Sequence, residues 1–307
     1  MAGTVAAARV SFAKAAQPST PVNFHVPADA CDCHTHIFGP PDKFPMFAGR
    51  SYTPEPALPD EMAAMHRALH IARVVIVTPS VYGTDNSATV WGIEARGRTA
   101  RGIAVIDERT PESSLDAMAK AGIRGIRLNL ATAGPTDPAV ARQRFQTAAA
   151  RMKRRGWHIQ IYATTPVVAS IKDLVLASPV PVVFDHFGGA QAALGVEQPG
   201  FHDLLEMLHA GKAYVKVSAA YRASTHGPDY ADVAPLAKAL IAANADRVVW
   251  GTDWPHPNTA QGRAPTELSP LLQIDDGRLL NQLAVWAPDA GVRKKILVDN
   301  PAGLYGF

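Results

Sequence analysis

From residue 30 onward, short runs of branched apolar residues alternate with longer stretches in which apolar positions recur every three or four residues. The first pattern predicts strands and the second predicts amphipathic helices. Strands are expected near 30–36, 73–78, 102–106, 122–129, 158–162, 180–185, 214–218 and 247–251. Helices are expected near 59–69, 85–98, 112–120, 138–155, 165–177, 200–210, 229–243 and 275–287. Val74-Val75-Ile76-Val77 and Pro181-Val182-Val183-Phe184 are apolar on both faces, as in parallel sheets covered by helices. Eight such units in 307 residues predict an α/β fold of a single domain, a distorted (β/α)8 TIM barrel over 30–307. A doubly wound sheet is the alternative, but no Gly-x-Gly-x-x-Gly follows an early strand. The Pro-rich loop 39–59 directly follows the first strand and is long enough to cover a site.

Residues 1–29 are rich in Ala, Ser, Thr and Pro and are expected to form a flexible, loosely docked extension or the remnant of an export signal. Ala13-Lys14-Ala15 resembles a small-residue cleavage site, although Arg9 and Lys14 interrupt any apolar core. The expected location is therefore cytoplasmic, or periplasmic if an export signal lies upstream. No run of eighteen apolar residues is present, so no transmembrane helix is expected.

At 47% hydrophobic and 19% charged residues the composition is globular, and a net charge of +3 implies no polyanionic partner. The densest basic run, 151–155, ends a predicted helix, where cations complement the dipole and face solvent. No aromatic residues interleave with it, so nucleic-acid binding is not expected.

Candidate chemistry begins with Asp32-Cys33-His34-Thr35-His36 on the first strand. A period of two places Asp32, His34 and His36 on one face and Cys31 and Cys33 on the other. The two thiols read as buried and structural, neither a disulfide nor half of a metal site. In a barrel, reacting groups gather at the C-terminal strand ends. Those ends hold His34 and His36, Ser80, Arg127 and Asn129, Tyr162, His186, Arg222 and Asp253. Tyr52 joins them as a core or rim candidate, with His158, His256 and Asn258 weaker, the last two close enough to Asp253 to line the rim; Asp32 is expected to orient the histidine loop or a helix N-terminus. His66, His70, His202 and His209 fall on predicted helices and read as surface or packing residues.

Four motifs together resemble the amidohydrolase superfamily (amidohydrolase-related family 2): Asp-x-His-x-His, Asp185-His186-Phe187-Gly188-Gly189, Gly251-Thr252-Asp253-Trp254-Pro255-His256, and the ending Asn300-Pro301-Ala302-Gly303-Leu304-Tyr305-Gly306-Phe307. Three further runs, 50–54, 79–86 and 124–129, resemble its branch of 2-pyrone-4,6-dicarboxylate lactonase and sugar-acid or muconolactone lactonases. The resemblance covers about residues 30–307. It implies that His34, His36, His186 and Asp253 form the reacting centre. They would act with no cofactor or with one divalent metal ion, zinc being the first choice, and Asp253 would be the general base. It further implies a small acidic lactone as substrate, bound by Arg127, Arg222, Tyr52, Ser80, Tyr162 and Asn258, in aromatic or sugar-acid catabolism. A homo-oligomer is compatible with this reading.

Neither a lysine at the end of strand four nor a histidine at the end of strand five is present, so a two-metal centre is not expected. Ala133 and Gly189 stand where the pyrone branch has two further arginines, which favours a lactone with one acidic group. The rival expectations are a metal-dependent decarboxylase or a lactone isomerase, and beyond these a non-catalytic barrel.

Overall fold

Eight parallel strands are hydrogen-bonded in chain order: β1 (Cys31–Thr35), β2 (Arg73–Val77), β3 (Ala100–Ala104), β4 (Ile123–Asn129), β5 (His158–Tyr162), β6 (Val182–Phe184), β7 (Ala213–Ser218) and β8 (Val248–Gly251). This is a computed structural model that describes residues 15–132, 136–259 and 262–307. The outer faces of the strands, carrying residues such as Val74, Ile76 and Ile126, pack against the surrounding helices as the main core. The sheet closes at its C-terminal edge, where the Asp253 amide donates to the His34 carbonyl and the His36 amide to the Trp254 carbonyl, both at 2.8 Å. The expected (β/α)8 barrel is therefore the observed architecture.

Several details depart from simple periodicity. The register between β1 and β2 shifts between Asp32 and Thr35, which breaks the strict alternation expected there. Cys31 and Cys33, both free thiols, pack inside the barrel with Val75, Val77, Ile103, Val249 and Tyr305. Asp32 turns the other way, toward His66 on the helix Pro59–Ala68. The helix expected at 165–177 is broken at Ile171, where φ −111° and ψ 7° leave the helical region between Thr165–Ser170 and Lys172–Leu176. The basic run does not simply face solvent: Arg151 and Arg155 pair with Glu112, and Arg155 also with Asp116, on the neighbouring helix Glu112–Ala121.

Of the extension expected at 1–29, residues 1–14 lie outside the described residues, and from Ala15 the chain is docked. Ala15 and Ala16 are buried, Ser19 and Thr20 donate to Asp275, and the Ala16 carbonyl accepts from the Trp254 indole at 3.1 Å.

The strands are not apolar on both faces throughout. On β5, His158, Gln160 and Tyr162 share the inner face, stacked from the closed end toward the mouth. His158 is 1% exposed and neither ring nitrogen makes a good hydrogen bond, so burial pushes its imidazole down to about 3. Above the ordinary value near 6.5 the ring is neutral folded or unfolded. Below it the unfolded chain takes up a proton that the folded chain refuses, so stability falls as pH drops from about 6.5 toward 3, by about 1.4 kcal/mol per pH unit. The melting temperature should decline over that window, and His158→Leu should flatten the slope. Thermal denaturation at a series of pH values checks this, and an unchanged slope in the variant would remove His158 as a cause.

Candidate active site

The C-terminal strand ends surround a cavity of about 620 Å³ whose wall includes His36, Tyr52, Ser80, Arg127, Tyr162, His186, Arg222 and Asp253. His34 lies beneath this wall with no exposed surface. The cavity is bordered by Pro257 and Thr259, the neighbours of Asn258, while the Asn258 carbonyl accepts from Ser269. His256 is fully buried and directed away from the rim, with Nε2 3.1 Å from Asp276 on the helix Asp276–Trp286.

Asp253 is the centre of the cluster. It follows β8 by two residues, in a left-handed conformation (φ 67°) that turns its carboxylate inward. Oδ2 accepts from the Tyr221 hydroxyl and from Arg222 Nε, both at 2.6 Å, on the short helix Ala220–Ala223 after β7. Oδ1 faces the imidazoles, 3.2 Å from His36 Nε2, 3.4 Å from His34 Nε2 and 3.9 Å from His186 Nε2. Burial alone would raise this carboxyl, but Arg222, followed by His186, His36 and His34, holds it well below the usual carboxylate range. Burial pushes the His186 imidazole down to about 4, and burial together with Lys216 pushes that of His34 well down.

The far nitrogens of the rings are also engaged. His36 Nδ1 donates to the Val77 carbonyl at 2.7 Å, which leaves the lone pair of the neutral ring on Nε2. His186 Nδ1 lies 2.9 Å from Ser218 Oγ. His34 Nε2 and Asp253 Oδ1 are buried without a hydrogen-bond partner. His34, His36 and Asp253 each bring a donor atom to one small space, and the 3.2–3.4 Å spacings are what a cation holder needs. In a tetrahedral zinc site with bonds of about 2.0–2.1 Å, neighbouring donors stand about 3.3 Å apart. The donor set therefore fits one divalent cation.

The two arginines expected to meet substrate are also structural partners of buried acids. Arg127 Nε donates to Asp185 Oδ2 at 2.9 Å and its guanidinium lies over the Tyr162 ring, 5.1 Å from the centroid. Arg222 lies 5.1 Å over Tyr221 and also donates to the Pro257 carbonyl. Tyr52 is buried, and burial pushes its hydroxyl up to about 12, so it remains a hydrogen-bond donor throughout the neutral range.

Several residues here carried no assignment in the sequence reading. Lys216 and Gln160, both fully buried, bridge at 2.7 Å below His34, and Asp185 joins them. Burial alone would raise the Asp185 carboxyl, but His34, Lys216 and Arg127 hold it well below its usual range. Burial pushes the Lys216 ammonium below its ordinary value. The available signal was a polar residue at every second position of β5 and of β7. Arg263 is also in the cavity wall, where it bonds Glu267 at 3.2 Å. Its loop is joined to the loop of Tyr52 by the parallel pairing of Thr53–Pro54 with Leu268–Ser269. At Gly189 an added Cβ would stand 2.1 Å from the Ala163 carbonyl oxygen, so this backbone excludes any side chain there. Ala133 lies outside the described residues.

Comparison with known proteins gives consistent results. The family model described as amidohydrolase matches residues 31–307. The chain is 35% identical to a 4-sulfomuconolactone hydrolase of Rhizobium radiobacter, over 94% of this chain and 93% of that one. It is also 35% identical to a 2-pyrone-4,6-dicarboxylate hydrolase of Comamonas testosteroni, with 94% of each covered. An apo crystal structure from Agrobacterium tumefaciens superposes with a TM-score of 0.80 at 25% identity, covering 94% of this chain and 98% of that one.

Proposed function

The chain belongs to the amidohydrolase family, and we propose that it is a hydrolase that opens the ring of a small acidic lactone by attack of water on the carbonyl carbon. The observation that carries this reading is a buried carboxylate with one oxygen restrained by Tyr221 and Arg222 and the other facing three imidazoles at the floor of a cavity walled by guanidinium groups. The relatives named as lactone hydrolases support it.

In this reading Asp253 Oδ1 takes one proton from water as the water oxygen bonds to the carbonyl carbon. The ring carbon–oxygen bond then breaks, and the same proton passes from Asp253 to the leaving ring oxygen, giving an acid and an enol or alcohol. Tyr221 and Arg222 fix the carboxylate plane during both transfers. The imidazoles of His36 and His186 border the space where negative charge develops on the carbonyl oxygen. A divalent ion, zinc by the imidazole and carboxylate donors, would be held by His34, His36 and Asp253, with His186 as the further candidate ligand, and would supply Lewis-acid polarisation and a more acidic water. Arg127, Arg222, Tyr52, Ser80 and Tyr162 bind the substrate, the two arginines pairing with a carboxylate through their outer nitrogens. A carboxylate at Arg222 shares the cation that depresses Asp253, so binding itself makes the base stronger.

Arg263 changes the expectation of a single acidic group. It supplies a third guanidinium to the cavity wall, beside those of Arg127 and Arg222. A second anionic group on the lactone would exchange with Glu267 for this cation.

Asp253→Asn should lower turnover by about 10²–10⁴-fold with substrate binding largely kept. Steady-state kinetics and equilibrium binding on folded protein check this, and unchanged turnover would remove Asp253 from the mechanism. With 2-pyrone-4,6-dicarboxylate and 2-pyrone-6-carboxylate as probes, Arg263→Gln should raise KM about five- to tenfold for the first and leave the second within about twofold. Equal effects on both probes would remove Arg263 from substrate selection. Product analysis tests the reaction itself, since loss of carbon dioxide or a ring rearrangement without uptake of water would overturn hydrolysis.

A further inference from the structure

Beneath the imidazoles, the inner face of the barrel holds a charged network whose members Lys216, Gln160 and Asp185 are used by no step of the proposed reaction. The Lys216 ammonium lies 2.7 Å from Gln160 Oε1, 3.2 Å from His34 Nδ1 and 3.5 Å from Asp185 Oδ1. Asp185 Oδ1 is also 3.2 Å from that same His34 nitrogen. The other Asp185 oxygen accepts from Arg127 Nε at 2.9 Å and Gln160 Nε2 at 3.0 Å. Lys216, Gln160, Asp185 and His34 are all at most 1% exposed, so these contacts are shielded from bulk solvent.

One imidazole nitrogen thus has two neighbours of opposite demand. An ammonium can only donate a hydrogen bond, and an ionised carboxylate can only accept one. When Nδ1 accepts from Lys216, the ring proton sits on Nε2, which points at Asp253 Oδ1 3.4 Å away. His34 is then a hydrogen-bond donor toward the mouth and has no lone pair for a cation. When Nδ1 carries the proton toward Asp185, Nε2 presents the lone pair that a cation requires. In this structure the Lys216 contact has hydrogen-bond geometry, while Asp185 Oδ1 has no hydrogen-bond partner.

We propose that Lys216 and Asp185 are opposed positioning residues that set the tautomer of His34, Lys216 holding the donor form that works without metal and Asp185 the form that accepts one. The inference rests on His34 belonging to the cation-holding cluster of the proposed site. As an ammonium, Lys216 also acts by charge, disfavouring a second cation in the cluster above it. Gln160 keeps the pair in place, since its carbonyl accepts from Lys216 and its amide donates to Asp185.

The test reads tautomer and zinc binding on the full-length protein, so it does not depend on which lactone is opened. Nitrogen-15 NMR of histidine-labelled, chelator-treated protein, with the His34 signals assigned by their loss in His34→Gln, should show protonation at Nε2. Protonation at Nδ1 in the metal-free protein would overturn the proposal without any Lys216 variant having to fold. Zinc affinity, measured by competition with a chromophoric chelator, should rise about tenfold or more in Lys216→Met and fall about 10–100-fold in Asp185→Asn. A fall in both variants, or no change in either, would overturn it. Lactone inertness of the wild type would sink the proposed reaction while leaving these readouts to stand or fall by themselves.

Discussion

The arrangement of the site depends on the seam between the first and last barrel strands, and that seam is organised by one buried carboxylate. Asp32 has no exposed surface and accepts from the His34 amide at 3.1 Å, the Thr252 amide at 3.0 Å and the Thr252 hydroxyl at 2.6 Å. Its second oxygen also meets His66 Nε2 at 3.2 Å. A charge this deeply buried persists only where its acceptor capacity is filled, and here the donors come from β1, the loop after β8 and a helix outside the barrel. Gly251 permits the approach, because an added Cβ there would meet the His34 amide nitrogen at 2.8 Å. The seam brings Asp253 against His34 and His36, residues more than two hundred positions apart.

A second constraint follows from burying so many charges at one mouth. Each acid there has a matched cation, Asp253 with Arg222 and Asp185 with both Arg127 and Lys216. Both arginines use Nε for this internal pairing, and apart from the Arg222 nitrogen on the Pro257 carbonyl their terminal nitrogens are left for the cavity. The wall is thereby rich in donors without either arginine being an uncompensated buried charge.

Much of this was legible in the sequence. The eight strands stand out because branched apolar runs at regular spacing have few other uses, and His34, His36, His186 and Asp253 fall where those runs end. Lys216 and Gln160 were missed because Val215, Val217, Ile159 and Ile161 flank them, and polar residues alternating with apolar ones do not declare which face is interior until closure gives the sheet an inside. The facing of Cys31 and Cys33 was misread because an irregularity in register cannot be inferred from residue types alone. His66 looked like an ordinary helical residue, since its partner Asp32 is distant in sequence. Arg263 was hidden for the same reason, its place being set by a two-residue pairing of loops.

The turn carrying Asp253 shows how the rest of the chain serves this geometry. Asp253 and His256 both adopt positive φ, 67° and 62°, conformations that cost side-chain-bearing residues about 1–3 kcal/mol each. Such strain persists only if the surroundings leave the turn no alternative. Here its base is held by Asp32, its outer side by the Trp254 indole on the Ala16 carbonyl, and its end by His256 against Asp276. The docked segment around Ala16, the helix Asp276–Trp286 and the first strand therefore converge on five consecutive residues. Because the anchors act from different directions, together they leave the turn one arrangement, and the aim of the Asp253 carboxylate at the imidazoles is set by all three.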